Sequence, residues 1–149
     1  AFNTAVGDHQ GELEFYRSDF SPSSSAMKMA ELHRETYPQS AYNTMLKVPV
    51  TTLDDMLGEI QLVPPVFLKI DVQGYEDAVL KGAKKTLALV DFIEIEVSFR
   101  PLYEGQLLFD GIYKILKDAG FLFSGNLDSM LSPLDGSILQ SDALFIRAK

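Results

Sequence analysis

The sequence predicts an α/β fold, a largely parallel sheet flanked by helices and closed by an antiparallel pair of strands at its C-terminal end. Three observations carry this. The run Val66-Phe67-Leu68-Lys69-Ile70 is short and apolar, and it reaches Asp71 and then Gly74 just before a helical pattern. A buried parallel strand delivers one carboxylate in this way to the crevice where α/β sheets bind ligands. Strand-like and helix-like segments alternate from Lys47 to Ala119, and two further strand-like segments, Phe121 to Ser124 and Ala143 to Arg147, follow with no helix between them.

A chain of 149 residues suits one domain, and 46% hydrophobic composition is enough to bury a sizeable core. The net charge of -8 argues against a surface that grips a phosphate backbone or an anionic membrane. Nucleic acid and membrane are therefore not expected as partners. The absence of cysteine excludes disulfides, thiolate catalysis and cysteine zinc sites. Apolar runs fall short of the ~20 residues of a membrane helix, and the first residues lack the basic and apolar regions of a secretion signal. The expectation is a soluble, cytoplasmic protein, with self-association left open.

Taken in order, Ala5-Val6-Gly7-Asp8 ends a short apolar start and runs into the turn His9-Gln10-Gly11. Glu12 to Tyr16 then alternates, with Leu13 and Phe15 on one face, as a half-buried strand does. Residues 18–46 change character: Pro22 among Ser21, Ser23, Ser24 and Ser25 is turn composition, so this stretch is read as a loop or lid with a short helix around Met27 to His33. Lys47 to Val50 reads as a strand entering a helix with Thr52 as N-cap, Asp54 and Asp55 in the first turn, and Leu53, Met56, Leu57 and Ile60 as the buried stripe. Pro64-Pro65 ends it. After Gly74 a second helix starts with Glu76 and Asp77 and closes with Lys81, Lys84 and Lys85, with Val79, Leu80, Ala83 and Leu87 inside. Phe92 to Val97 is the next strand, and a helix from about Glu104 to Ala119 buries Leu108, Ile112, Ile115 and Leu116 and stops at Gly120. The closing strands are expected to be joined by a long polar connection through Asp128, Pro133, Asp135 and Gly136.

Leu53-Asp54-Asp55, Leu68-Lys69-Ile70-Asp71-Val72-Gln73-Gly74-Tyr75-Glu76 and Val79-Leu80-Lys81-Gly82-Ala83 together resemble the C-terminal half of the FkbM family of S-adenosylmethionine-dependent methyltransferases. The likeness continues through Tyr103-Glu104-Gly105-Gln106, Ala119-Gly120-Phe121 and Leu139-Gln140-Ser141-Asp142-Ala143-Leu144-Phe145. Gln73 stands where the family more often has Glu. The resemblance implies a Rossmann-like class I methyltransferase sheet, of which the chain would hold the fourth to seventh strands. The glycine-rich donor loop after such a fold's first strand is not found, so the expectation is a single domain, 1–149, truncated at its N-terminus and lacking the first two strands. A fragment, a truncated product and a rearranged variant all fit that description.

Asp71 has two readings of equal weight from the residues alone, a cap for the helix that follows or a ligand-site carboxylate. The resemblance implies the site, because in this fold the fourth strand ends beside the reactive methyl group. Glu94 and Glu96 share a strand face, so either that face meets solvent or Glu96 lines the crevice. Asp71 and Glu96 would then form a two-carboxylate site for base catalysis or for an oxygen-preferring cation; no metal ligand set is assigned. Glu76 is read first as a helix acid and second as a substrate contact. Asp8 would be a donor contact near the adenine, with Asp71, Val72 and Gly74 also against the donor. Tyr103 falls where substrate contacts would lie, and His33 on the excursion is a candidate general base beside the acceptor.

The function implied is methyl transfer from S-adenosylmethionine to a hydroxyl of a sugar or other small molecule, with Asp71 the first choice of base. A non-catalytic methyltransferase-like module is the alternative. A phosphotransferase using Asp71 as nucleophile fits a strand-terminal aspartate, but no second Asp stands two residues on.

Overall fold

A computed structural model describes residues 1–40 and 43–148. Its elements are β1 (Ala5–Val6), β2 (Gly11–Ser18), α1 (Glu31–Thr36), β3 (Asn43–Thr51), α2 (Leu53–Met56), β4 (Phe67–Ile70), α3 (Glu76–Lys81), α4 (Lys84–Leu87), β5 (Phe92–Ser98), α5 (Phe109–Asp118), β6 (Phe121–Leu131) and β7 (Ile138–Arg147). They form a mixed α/β structure with two sheets. One has the order β1-β3-β2, with β1 parallel and β2 antiparallel to β3; the other has the order β4-β5-β7-β6. In the second sheet β4 and β5 are parallel and β7 runs against both β5 and β6.

The core of the second sheet follows from the alternation of β5. Ile93, Ile95 and Val97 are buried on one side together with Ala143 and Phe145 of β7 and Phe121 of β6. Val79 and Leu80 of α3, Ala83 and Leu87 around α4, and Ile112 and Leu116 of α5 cover them. Each side chain removed from water here contributes roughly 1.5–3 kcal/mol before the entropy of ordering it is subtracted. Phe92, Glu94 and Glu96 take the other, half-buried face. Glu94 lies in register with Lys69 and forms an ion pair with it.

Several expected boundaries change, each for a local reason. The helix read through Leu87 divides at Gly82, whose carbonyl accepts from the Asp54 amide at 3.0 Å and where a β-carbon would sit 2.0 Å from the Gly7 carbonyl oxygen, so that only glycine fits. Asp54, expected to serve its own helix, reaches across to α4. Its carboxylate accepts from the Lys85 and Thr86 amides and from the Thr86 hydroxyl, at 2.8–3.0 Å. Thr52 caps α2 as expected, accepting from the Asp55 amide at 3.1 Å, but α2 is a single turn, which leaves Ile60 exposed. The helix read from Glu104 begins at Phe109, since Gln106 holds the preceding segment in a loop by accepting from the Leu102 and Tyr103 amides and donating to Ser98 Oγ at 2.8 Å. Gly120, at φ +86°, ends α5 as expected.

The closing strands are longer than their apolar residues suggested. β6 and β7 pair over the expected polar connection, with register shifts at Phe123/Gly125, Asn126/Asp128 and Met130/Leu131, leaving a short turn around Pro133 to Gly136. The excursion read at 18–46 holds α1 at Glu31–Thr36, and β3 begins inside it at Asn43. It is tied down: the Ala30 amide donates to Leu102 and the Glu104 amide to Lys28, while Met29, Leu102, Tyr103 and Leu139 make a small second core. Among the described residues no helix is long and apolar enough to cross a membrane.

Candidate active site

A cleft of about 1100 Å³ opens between the two sheets. Thr4, Ala5 and Val6 of the first segment and Leu13, Phe15 and Arg17 of β2 bound it on one side. Asp71, Val72 and Gln73 after β4, Glu96 of β5 and Gln140 of β7 bound it on the other. Alternation along β2 aims residues 13, 15 and 17 the same way, so this wall is apolar with one cation at its end. The facing wall is polar.

The polar wall is organised by Gln73. Its side-chain amide donates to Asp71 Oδ1 and to Glu96 Oε2, both at 2.9 Å, and its oxygen accepts from the buried Tyr103 hydroxyl at 2.9 Å. Gln140 adds a second donor to Glu96 Oε2 at 2.8 Å, and the Ser25 hydroxyl donates to the Gln73 carbonyl at 2.6 Å. Gln73 takes φ +53°, a left-handed conformation uncommon for a residue with a side chain, and these contacts hold it there. The amide thus occupies the position between the two acids that a shared cation would take. Among the described residues no three or more acids or histidines gather as a metal would need.

Burial raises the Glu96 carboxyl to about 8, with the charges of Asp71, Glu76 and Asp142 adding to it. At neutral pH it is mostly protonated and cannot take a proton from a substrate. Glu76 is raised to about 7, again chiefly by burial. Only 3% exposed, it turns away from the cleft and accepts from the Gly74 amide at 3.0 Å and the Val72 amide at 3.3 Å. It is therefore Glu76, not Asp71, that satisfies the backbone ahead of α3; Asp71 is exposed at the end of β4. Gly74, at φ +99°, packs on Tyr103, whose ring a β-carbon would meet at 2.9 Å.

The expected residues fall into groups. Asp71, Val72, Glu96 and His33 bound the cleft. Gly74, Glu76 and Tyr103 form the buried backing of that wall. Asp8 is exposed past β1 and bonds to His9 Nδ1 at 2.7 Å, which holds its carboxyl below the usual range; the cleft boundary at this end is made instead by Thr4 to Val6. Gln140 and the bridging role of Gln73 were not foreseen. Both lie inside motifs that carry the family likeness, but a neutral amide between two acids has no signature in spacing.

The FkbM methyltransferase domain model matches residues 1–123 of the chain. The chain belongs to the FkbM methyltransferase family. One relative, the 2-O-methyltransferase NoeI of Sinorhizobium fredii (strain NBRC 101917 / NGR234), is 31% identical over 121 residues, which cover 77% of this chain and 50% of that protein. The chain thus spans about half the length of this curated relative. No solved structure matches it.

Proposed function

We propose that the cleft is the site of an S-adenosylmethionine-dependent O-methyltransferase acting on a hydroxyl of a sugar or another small molecule. The single observation that carries this is the Asp71–Gln73–Glu96 bridge, which sets two acids at the ends of neighbouring parallel strands on the wall of a cleft sized for a small ligand. The strand order β4-β5-β7-β6 with β7 reversed supports reading this sheet as the second half of a Rossmann-like class I methyltransferase sheet. The name of the NoeI relative supports oxygen as the atom methylated.

The residues present fit the donor. The exposed Asp71 carboxylate offers an anion to its cationic groups, and Leu13, Phe15 and Phe20 offer apolar surface to its adenine. When bound, the donor supplies an activated methyl group on a sulfonium. Val72 and Gly74 shape the loop against it, with their amides fixed by Glu76. Protonated Glu96 keeps Gln73 and Gln140 in place and draws no charge away from Asp71. Alignment of donor and acceptor is the main catalytic task of such a site.

The test is transfer of labelled methyl from S-adenosylmethionine to a panel of simple methyl glycosides. The expected result is a labelled methyl ether, reduced at least tenfold by Asp71→Asn. A folded chain that binds the donor yet labels no hydroxyl compound contradicts the reading.

A further inference from the structure

We propose that Arg17 is the centre of a carboxylate subsite in the cleft, with the Ser24 hydroxyl as a second donor, an inference that rests on the methyl-transfer reading. Among the described residues Arg17 is the one permanent cation that bounds the cleft. Of the chain's four arginines, Arg34 and Arg100 lie against Glu104 and Asp135, and Arg147 donates to the Val90 and Leu87 carbonyls. The Arg17 guanidinium has neither kind of partner among the described residues, and its side chain is exposed.

The pattern of β2 makes this placement informative. Glu12 and Glu14 are exposed on one face of the strand, while Leu13, Phe15 and Arg17 follow one another along the cleft wall. The strand thus turns its acids away from the cleft and its cation toward it. Pairing with Thr44 in the β2–β3 ladder fixes the backbone of Arg17. One residue on, the Ser18 amide donates to Ser24 Oγ at 3.0 Å. Ser24 also bounds the cleft, and its hydroxyl proton is left to donate.

The subsite is tied to the acids across the cleft. The Tyr16 amide donates to the Ser25 carbonyl at 2.7 Å and the Ser25 hydroxyl to the Gln73 carbonyl at 2.6 Å. The residue before Arg17 is thereby linked through two bonds to the residue that bridges Asp71 and Glu96. A chain of net charge -8 with Asp71 on the facing wall repels an anionic ligand unless a cation receives its charge. A single guanidinium balances one negative charge, and its planar fork matches the two oxygens of a carboxylate. Two ligands of the proposed reaction bring that group: an acceptor that is a uronic acid glycoside, and the amino-acid end of the donor.

The test is calorimetric titration of the full chain and of Arg17→Gln, both shown to be folded by circular dichroism, with two matched pairs of probes. Methyl glucuronide against methyl glucoside reads an acidic acceptor, and S-adenosylmethionine against its decarboxylated form reads the carboxylate of the donor. The expected result is a preference of roughly 10-fold or more for the carboxylate-bearing member of a pair, abolished in Arg17→Gln and weakened by salt. The pair that shows it names the source. A preference that survives in Arg17→Gln overturns the subsite, and so does donor binding with no preference in either pair, which leaves the donor site standing. A glucuronide preference lost in the variant, with no donor binding at all, keeps the subsite and overturns methyl transfer. No binding by any probe overturns both.

Discussion

Glu76 and Glu96 are both pushed up by burial, yet they hold different things: Glu76 fixes the backbone of the loop after β4, and Glu96 anchors two side-chain amides. Because both carboxyls are raised in the folded chain, the native state holds more protons than the unfolded state between the ordinary carboxyl value of 4.5 and about 7 and 8. Their contribution is fully present below that window and is lost as pH rises through it. Thermal melts from pH 5 to pH 9 should therefore show falling stability, and Glu96→Gln should flatten the upper part, gaining on the order of 1–3 kcal/mol at pH 9. Gln73→Glu should do the reverse. A third carboxylate between Asp71 and Glu96 replaces two donated hydrogen bonds with repulsion, costing about 1–3 kcal/mol at pH 8 and less at pH 5, where Glu96 is protonated. Asp71 was legible because an apolar run ending in an acid and a glycine has a stereotyped meaning. Gln73 was not, since its function depends on Glu96, 23 residues away and brought beside it only by β4–β5 pairing.

At the scale of elements, two tertiary contacts set what local pattern could not. Gly82→Ala should cost about 1–3 kcal/mol, through the clash with the Gly7 carbonyl rather than through helix propensity, and denaturant melts would measure it. Asp54→Ala should cost a similar amount by unpairing the start of α4. Strands β4 and β5 were legible because apolar residues mark them. The outer parts of β6 and β7 were not, because Asn126, Asp128 and Ser129 lie on an exposed, bulged edge strand where side chains carry no burial signal. In the same way the helix after Gly74 was visible as an acid-first, base-last pattern, while its break at Gly82, packed against the Gly7 carbonyl oxygen, was not.

At the scale of the whole molecule, the second sheet supplies the acids and the first supplies an apolar wall, and the excursion bearing His33 is fastened between them by the Ala30–Leu102 and Ser25–Gln73 bonds. The antiparallel end of the sheet and the place of a carboxylate from each of two neighbouring strands on the cleft wall were readable in the sequence. The facing wall was not, because the alternation of Leu13 and Phe15 says which residues share a face and nothing of what that face meets. The proposed function requires that this cleft take the methyl donor against Asp71. Calorimetric titration of the chain with S-adenosylmethionine, repeated on Asp71→Ala with circular dichroism showing both folded, tests it most directly. Saturable binding that weakens at least tenfold in the variant is expected, whereas a folded chain that takes up no donor, or a variant that binds it equally well, would contradict the proposed site.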